Sequence, residues 1–563
     1  MKSILMFSAG LIFIFAAWTF GGLETVTEQQ LTTFLKDYQV KVIPISREEN
    51  LSYFNALVSG KDEDYAKSEK ATVALDDFHA DTIAFARAKA FRESAQITDP
   101  LLRRQLELVY LAYLGRQVDP VMLAEMVRRQ SDIEQRFNTY RTRVGGQVLT
   151  DNEVESILRS STDSRELEAV WKASKEIGRQ MAPDIIALVK LRNQAAAKLG
   201  FANYYEMQLI LAEQEPAEIA ALFDQLDSLT RDAFAELKGE IDSVLSLRHH
   251  VSTNELQPWH YQNRFFQEAP DIYQADLGSL YQGKDVVALA RKYFAGIGIP
   301  ADNIIAHSDL YEKPGKYQHA QSIDIDRAGD VRILCSVTPG YYWLNTMLHE
   351  LGHGVYDYYN DPRRPWLLRG AAHSVTTEGV ALFFGRLAGN PSWLERVAGV
   401  PRAEVEPVAG ICRNMLRTEQ LVFSRWVQVM VRFERALYED PDQDLNGLWW
   451  DLVEKYQLLK RPKGRNEPDW ASKIHLATSP VYYHNYLMGE LLASQFAHTI
   501  GSQVLRVSDP YEADFALNPK VGKYFRDKVF TPGAVYFWND MVERATGEKL
   551  TAKYYADQFV GQK

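Results

Sequence analysis

His349, Glu350 and His353 stand in the stretch LNTMLHELGHGVYDYYND. Two histidines four residues apart share one face of a helix. Neutral imidazole nitrogens on one face suit a Zn²⁺ ion, and a glutamate beside the first suits a general base acting on water. The wider stretch TPGYYWLNTMLHELGHGVYDYY reads as a helix, with Thr338 as its cap and Pro339 in its first turn. Two surface histidines on a polar helix would share this spacing. The following GVYDYY argues against a fully exposed face.

A catalytic zinc site needs a third protein ligand and an open fourth position. A histidine six residues after His353 would give the metzincin arrangement, but Tyr359 stands there. Glu378, 25 residues beyond His353 in SVTTEGVALFFGRLAG, is the candidate carboxylate. Thr376 or Thr377 would cap a helix there and put Glu378 in its first turn. His373, in the loop RGAAHSV, is the rival ligand. A hydrolase also needs donors for an oxyanion. The segment DWASKIHLATSPVYYHNYLMGELLASQF packs Lys473, His475, Tyr482, Tyr483, His484 and Tyr486 into 14 residues. An amphipathic helix with a tyrosine-rich face would read the same way.

The elements that must hold these residues are mostly helical in pattern. In LLRRQLELVYLAYLG, Leu102, Leu106, Val109 and Tyr113 form one stripe that Gly115 can close. PDIIALVKLRNQAAAKLG reads as a helix opening at Pro183 and ending at Gly200. A long helical region from EVEPVAG to ERALYED is interrupted near Pro407. HAQSIDIDRAGDVRILCSV alternates apolar and polar residues on both sides of DRAGD, which signals a β-hairpin with a long turn. Such a ribbon is either structural or a ledge to which an extended peptide adds as a strand. No internal repeat or low-complexity linker stands out. The expectation is a mainly α protein with one small antiparallel hairpin, in which residues 23–563 form a single catalytic unit, in one or two lobes.

With 563 residues, 46% of them hydrophobic and 24% charged, the chain can bury a large core. Its net charge of -11, with no long basic run, argues against nucleic-acid binding. One lysine followed by an apolar run from Ile4 to about Phe20 reads as a secretory signal in residues 1–22, or as an uncleaved membrane anchor. The protein is therefore expected outside the cytoplasm, periplasmic or extracellular. Its two cysteines, Cys335 and Cys412, are far apart in sequence and are expected as free thiols.

Taken together, these residues resemble the angiotensin-converting enzyme family, the peptidyl-dipeptidase A type of zinc peptidase. Besides HELGH and the downstream glutamate, Trp449 to Gln457 (WWDLVEKYQ) is similar to a W-W-x-L-x-x-K-Y-Q stretch of that family. Lys473-Ile474-His475 followed by Ser479 to Tyr486 resembles its K-F-H-I-P-S-S-V-P-Y-I-R-Y segment, with one extra residue between His475 and Tyr483. His319-Ala320, 30 residues before His349, is a further match, and LVKLRNQAAAKLGF a weaker one. The likeness reaches from about residue 170 to residue 490.

The resemblance implies a helical ellipsoid split by a deep channel and lidded by N-terminal helices. It implies that His349, His353 and Glu378 hold one zinc and that Glu350 is the general base and later proton donor. Tyr486 and His475 would stabilise the oxyanion. Lys473 and Tyr483 would grip the C-terminal carboxylate of a peptide, and His319 with the Ala320 backbone would hold its chain. Four departures stand out. Asn485 replaces an arginine linked to chloride, so chloride activation does not carry over. Leu382 replaces an aspartate four residues after the glutamate ligand, so another residue must orient a ligand histidine. Gln318 replaces a cysteine, and a carboxylate-binding glutamine has only Tyr261 or Gln262 as stand-ins. The expected function is zinc-dependent hydrolysis of short peptides with release of C-terminal dipeptides. A general oligopeptidase or zinc carboxypeptidase is the alternative enzyme, and an inactive binding scaffold the alternative of another class.

Overall fold

The computed structural model describes residues 27–273 and 276–561. The expected N-terminal signal or anchor falls outside them. Among the described residues there are 22 α-helices and two two-stranded antiparallel sheets. None of these helices is long and apolar enough to cross a membrane. The mainly helical fold expected from the periodicity is what the chain adopts.

One hydrophobic cluster gathers buried side chains from Val118 to Phe559. A smaller one joins Leu31, Phe34 and Leu35 of the first helix, Glu28–Ser59, to Leu106, Val109 and Tyr113 of the helix Pro100–Leu114. That second helix buries the stripe read from its sequence and ends at Gly115.

Two proline-based boundaries are corrected. The helix expected to open at Pro183 begins at Ser164 and runs to Lys198, with Pro183 in its interior. The break expected near Pro407 is absent, because one helix runs from Arg402 to Glu439. An interior proline loses a backbone hydrogen bond and costs about 3 kcal/mol. The long helix outweighs this by burying Ile177, Met181, Ile185 and Leu188 on both sides of Pro183.

The expected hairpin is present. The first sheet, not anticipated, is β1 (Thr142–Val144) and β2 (Gln147–Leu149), turning at Gly145-Gly146, both with positive φ. The second is β3 (Gln321–Asp324) paired with β4 (Val331–Leu334), with Gln321 opposite Leu334. The first helix lies across it. Phe54 and Leu57 pack on Ile325 and Leu334. The Tyr53 hydroxyl donates to Gln321 Oε1 at 3.2 Å, and Asn50 Nδ2 donates to the Asp324 carbonyl at 3.1 Å.

Three helices cross closely at the centre: Tyr341–Tyr358, Ser374–Arg386 and His484–Thr499. Glycines permit the approach. A Cβ on Gly352 would lie 2.7 Å from Ala381 Cα, one on Gly379 2.7 Å from the Leu492 side chain, and one on Gly489 2.8 Å from Glu378 Cβ. A methyl group at the first of these positions forces two backbones apart. Gly352→Ala should therefore lower stability by about 1–3 kcal/mol, read as a lower urea midpoint at unchanged slope.

Candidate functional site

The first of these helices carries HELGH. It begins at Tyr341, not at Thr338, because Gly340 caps it with φ 144°, a conformation that favours glycine. His349 and His353 project together, with their Nε2 atoms 3.2 Å apart. The second helix carries Glu378. It starts at Ser374, earlier than expected, because the His373 imidazole serves as its cap: Nδ1 accepts from the Val375 amide at 3.0 Å. Glu378 thus sits in the second turn rather than the first. Its Oε2 lies 3.6 Å from His349 Nε2 and 3.9 Å from His353 Nε2. One ligand atom from each of the three falls within 4.8 Å of the others. His373, the rival ligand, is committed elsewhere, since its Nε2 also bonds the Ala212 carbonyl at 2.7 Å.

The electrostatics of this cluster call for a cation. Burial holds His349 down at about 4 and His353 well below its ordinary value, so both rings are neutral. Burial, and then the charge of Glu490, pushes Glu378 up to about 7. Burial, and then the charge of Glu378, pushes Glu350 up to about 8. Two buried carboxyls with only neutral imidazoles beside them are held toward their protonated forms, and a bound cation would restore their charge. Three such ligands, two nitrogen and one oxygen, fit zinc with a position left open.

With Leu382 unable to orient a ligand ring, the structure supplies a substitute. His353 Nδ1 lies 2.7 Å from Thr377 Oγ1. The tautomer that leaves Nε2 free for a metal has its hydrogen on Nδ1 and donates it to that hydroxyl oxygen. Thr377 entered the sequence reading only as a cap. Its position one residue before Glu378 on a helix facing His353 is tertiary information.

The remaining candidates divide into two groups. Tyr486 and Tyr482 lie toward Glu378, whose charge, after burial, raises both phenols. No hydrogen bond engages the Tyr486 hydroxyl among the described residues. His475 is held neutral at about 4 by burial and then by Lys473, and its buried Nδ1 has no partner. Its ring lies 5.2 Å from that of Tyr483.

Tyr483 belongs to the second group. Its hydroxyl accepts from Trp426 Nε1 at 2.8 Å, and the Lys473 ammonium lies 5.5 Å from its ring centre. Lys473 Nζ also donates to Gln267 Oε1 at 2.6 Å. Glu490 pairs with Arg386 rather than with Lys473. Gln267 is the residue the sequence reading missed. Neither stand-in is near: Tyr261 donates to Asp242 Oδ1 at 2.7 Å, and Gln262 Nε2 donates to the Arg159 carbonyl at 2.8 Å.

His319 is exposed and Ala320 leads directly into β3. Cys335 and Cys412 are both free and buried. A cavity of about 250 Å³ reaches His349, and another of about 530 Å³ reaches Gln267 and Tyr483. Met415, Glu419, Gln420 and Glu490 line both.

Residues 212–214 tie the flanking elements together. The Ala212 carbonyl bonds His373, and the Glu213 carbonyl accepts from Trp538 Nε1 at 2.9 Å. The Gln214 amide bonds both Asn485 and His484 at 2.7 Å. Asn485 thus belongs to a closed network of neutral groups, with His484 held at about 3 by burial.

The chain is similar to known proteins over most of its length. The family described as angiotensin-converting enzyme matches residues 25–559. An inactive angiotensin-converting enzyme-related protein of Caenorhabditis elegans is 24% identical over 509 residues, 81% of this chain and 54% of that protein. Angiotensin-converting enzyme of Rattus norvegicus is 22% identical over 428 residues, 70% of this chain and 32% of that protein. Thermostable carboxypeptidase 1 of Pyrococcus furiosus is 24% identical over 249 residues, 40% of this chain and 49% of that protein. The chain thus spans about half the length, or less, of these curated relatives.

If the three-ligand cluster holds zinc, purified protein should carry about one equivalent. Thr377→Val keeps the shape of the side chain and removes the oxygen that holds His353. Its zinc affinity, measured by competition with a chromophoric chelator, should fall about 10- to 100-fold, whereas Thr376→Val should change it far less.

Proposed function

The chain belongs to the angiotensin-converting enzyme family, and on that footing we propose that it is a zinc peptidase releasing dipeptides from the C-termini of short peptides. The observation that carries this reading is a pair of cavities with a common wall of Met415, Glu419, Gln420 and Glu490, one reaching His349 and the other reaching Gln267 and Tyr483 beside Lys473. The cluster of His349, His353 and Glu378 suits a cation, and Lys473 suits a carboxylate.

A zinc ion, when bound, supplies Lewis acidity toward a peptide carbonyl and lowers the pKa of water. Glu350 takes the proton of the attacking water and passes it to the leaving amine. Its burial makes the carboxylate a stronger base than one in water. The Tyr486 hydroxyl and the neutral His475 ring donate to the oxyanion as it forms. Lys473, Tyr483 and Gln267 bind the free carboxylate at the end of the chain. Lys473 makes a charge-assisted bond there, roughly twice as strong as a neutral one. His319 and the Ala320 backbone hold the peptide beside β3. A carboxylate held two residues beyond the cut bond fixes the product as a dipeptide.

Chloride has no part in this reading, because Asn485 carries no positive charge and its Oδ1 accepts from Gln214 Nε2 at 2.7 Å. The apolar run from Ile4 to Phe20 supports export. The first-named relative is described as inactive, but this chain has Glu350 and all three proposed ligands. The carboxypeptidase relative favours a second reading, removal of single residues.

Glu350→Gln should keep its zinc and its melting temperature while losing nearly all peptidase activity, measured on a quenched fluorescent peptide. Near-normal turnover would remove Glu350 from the mechanism.

Mass spectrometry of products from one defined peptide should show dipeptides from the C-terminus. Single residues would support the carboxypeptidase reading. The C-terminally amidated form should be cut at least about tenfold more slowly than the free acid, given the strength of a hydrogen bond to a charged group. Lys473→Met should erase most of that difference in kcat/KM.

A further inference from the structure

The cavity beyond the proposed carboxylate clamp has an unusual wall. Glu268, Asp271, Glu419 and Glu490 line it, and no lysine or arginine does. Two of these acids are already paired. Glu268 accepts from Arg159 at 3.1 Å near the surface. Glu490 pairs with Arg386, whose remaining contacts are Ser494 Oγ at 3.1 Å, Gln420 Oε1 at 3.2 Å and Gln558 Oε1 at 3.4 Å. Glu419 differs. Its side chain takes part in no hydrogen bond or ion pair among the described residues, and it is exposed on the wall shared by the two cavities. Burial, and then the charge of Glu490, pushes its carboxyl up to about 7, against the pull of Arg386. An unpaired carboxyl in this state, open to the cavity, is one that an incoming cation would stabilise in its charged form.

The cavity is also placed for a particular part of a peptide. Gln267 and Tyr483 line it, and the same two residues touch Lys473. A residue whose carboxylate rests on Lys473 therefore has its side chain at the cavity mouth. Met415 and Phe423 give the cavity apolar walls, which suit the methylene stem of a long cationic side chain. The volume of about 530 Å³ is ample for it.

We propose that Glu419 is the anionic end of a subsite that selects lysine or arginine as the C-terminal residue of the peptide. This rests on the clamp described above. Lys473 takes the α-carboxylate, and Glu419 takes the side-chain cation of the same residue. The two charges of a C-terminal lysine are thus read by two opposite charges of the protein.

The test is binding, so that it does not depend on turnover. Zinc-loaded Glu350→Gln protein is titrated with three tetrapeptides that differ only in ending in Lys, Leu or Glu. The Lys peptide should bind about tenfold more tightly than the Leu peptide, the size of one charge-assisted contact. Adding Glu419→Gln should bring the two within about twofold, and adding Glu419→Arg should make the Glu peptide the tighter one. Equal binding of the Lys and Leu peptides, a preference that survives Glu419→Gln, or no binding of any peptide would overturn the proposal. Product analysis with the unsubstituted protein separates the two readings. Cleavage without a Lys preference sinks the subsite alone, and a Lys preference in binding without cleavage sinks the peptidase reading alone.

Discussion

How closely three helices can approach one another decides whether this molecule has a site at all. Glu378 reaches His349 and His353 only because Gly352 lets its helix meet the backbone at Ala381, while Gly489 gives way to Glu378 Cβ on the other side. A side chain at Gly352 occupies space that the Ala381 backbone now fills, and one at Gly489 occupies the space of the Glu378 and Leu382 side chains. The glycine of HELGH is therefore a packing residue with a chemical result. It sets the separation of two helices, and that separation brings a carboxylate within 4 Å of two imidazoles.

The same tight packing explains the electrostatics. Water is excluded, so His349 and His353 lose their protons while Glu350 and Glu378 are driven toward keeping theirs. A bound cation reverses the second effect and benefits from the first. At the clamp the balance is opposite in sign. Lys473 is desolvated among Phe265, Trp426 and Tyr483 and is lowered to about 8 by burial. An arriving carboxylate restores its preference for the charged form. The histidine cluster and Lys473 are thus buried groups whose preferences would be reset by partners of opposite charge, a cation at the first and a carboxylate at the second.

The sequence disclosed whatever local periodicity encodes. The pair His349 and His353 follows from 3.6 residues per turn, the helical fold from its apolar stripes, and the ribbon at residues 321–334 from alternation. Element boundaries were less readable. Local rules make proline a start at Pro183 and a break at Pro407, yet burial on both sides of these residues outweighs the lost hydrogen bond. The cap on the Glu378 helix is a histidine, outside the usual set of serine, threonine, aspartate and asparagine. The small ribbon at Gly145-Gly146 did carry a turn signal, which went unused. Thr377, Gln267 and Glu419 could not be found by pattern. Thr377 meets its partner 24 residues away, and Gln267 meets Lys473 across 206 residues. Only the fold makes those pairs neighbours.

The short segment 212–214 gives the site a common mount. It holds His373, where the Glu378 helix begins, and His484 with Asn485, where the Tyr486 helix begins. The HELGH helix has no hydrogen bond to that segment among the described residues. If the mount shifts, the proposed third ligand and the proposed oxyanion donor travel together, and their mutual spacing is preserved. The HELGH helix is fastened to this mount through its neighbour, by His353 on Thr377 and Asn345 on the Gly385 carbonyl, so a strain on residues 212–214 reaches the histidines only by way of the helix that carries Glu378.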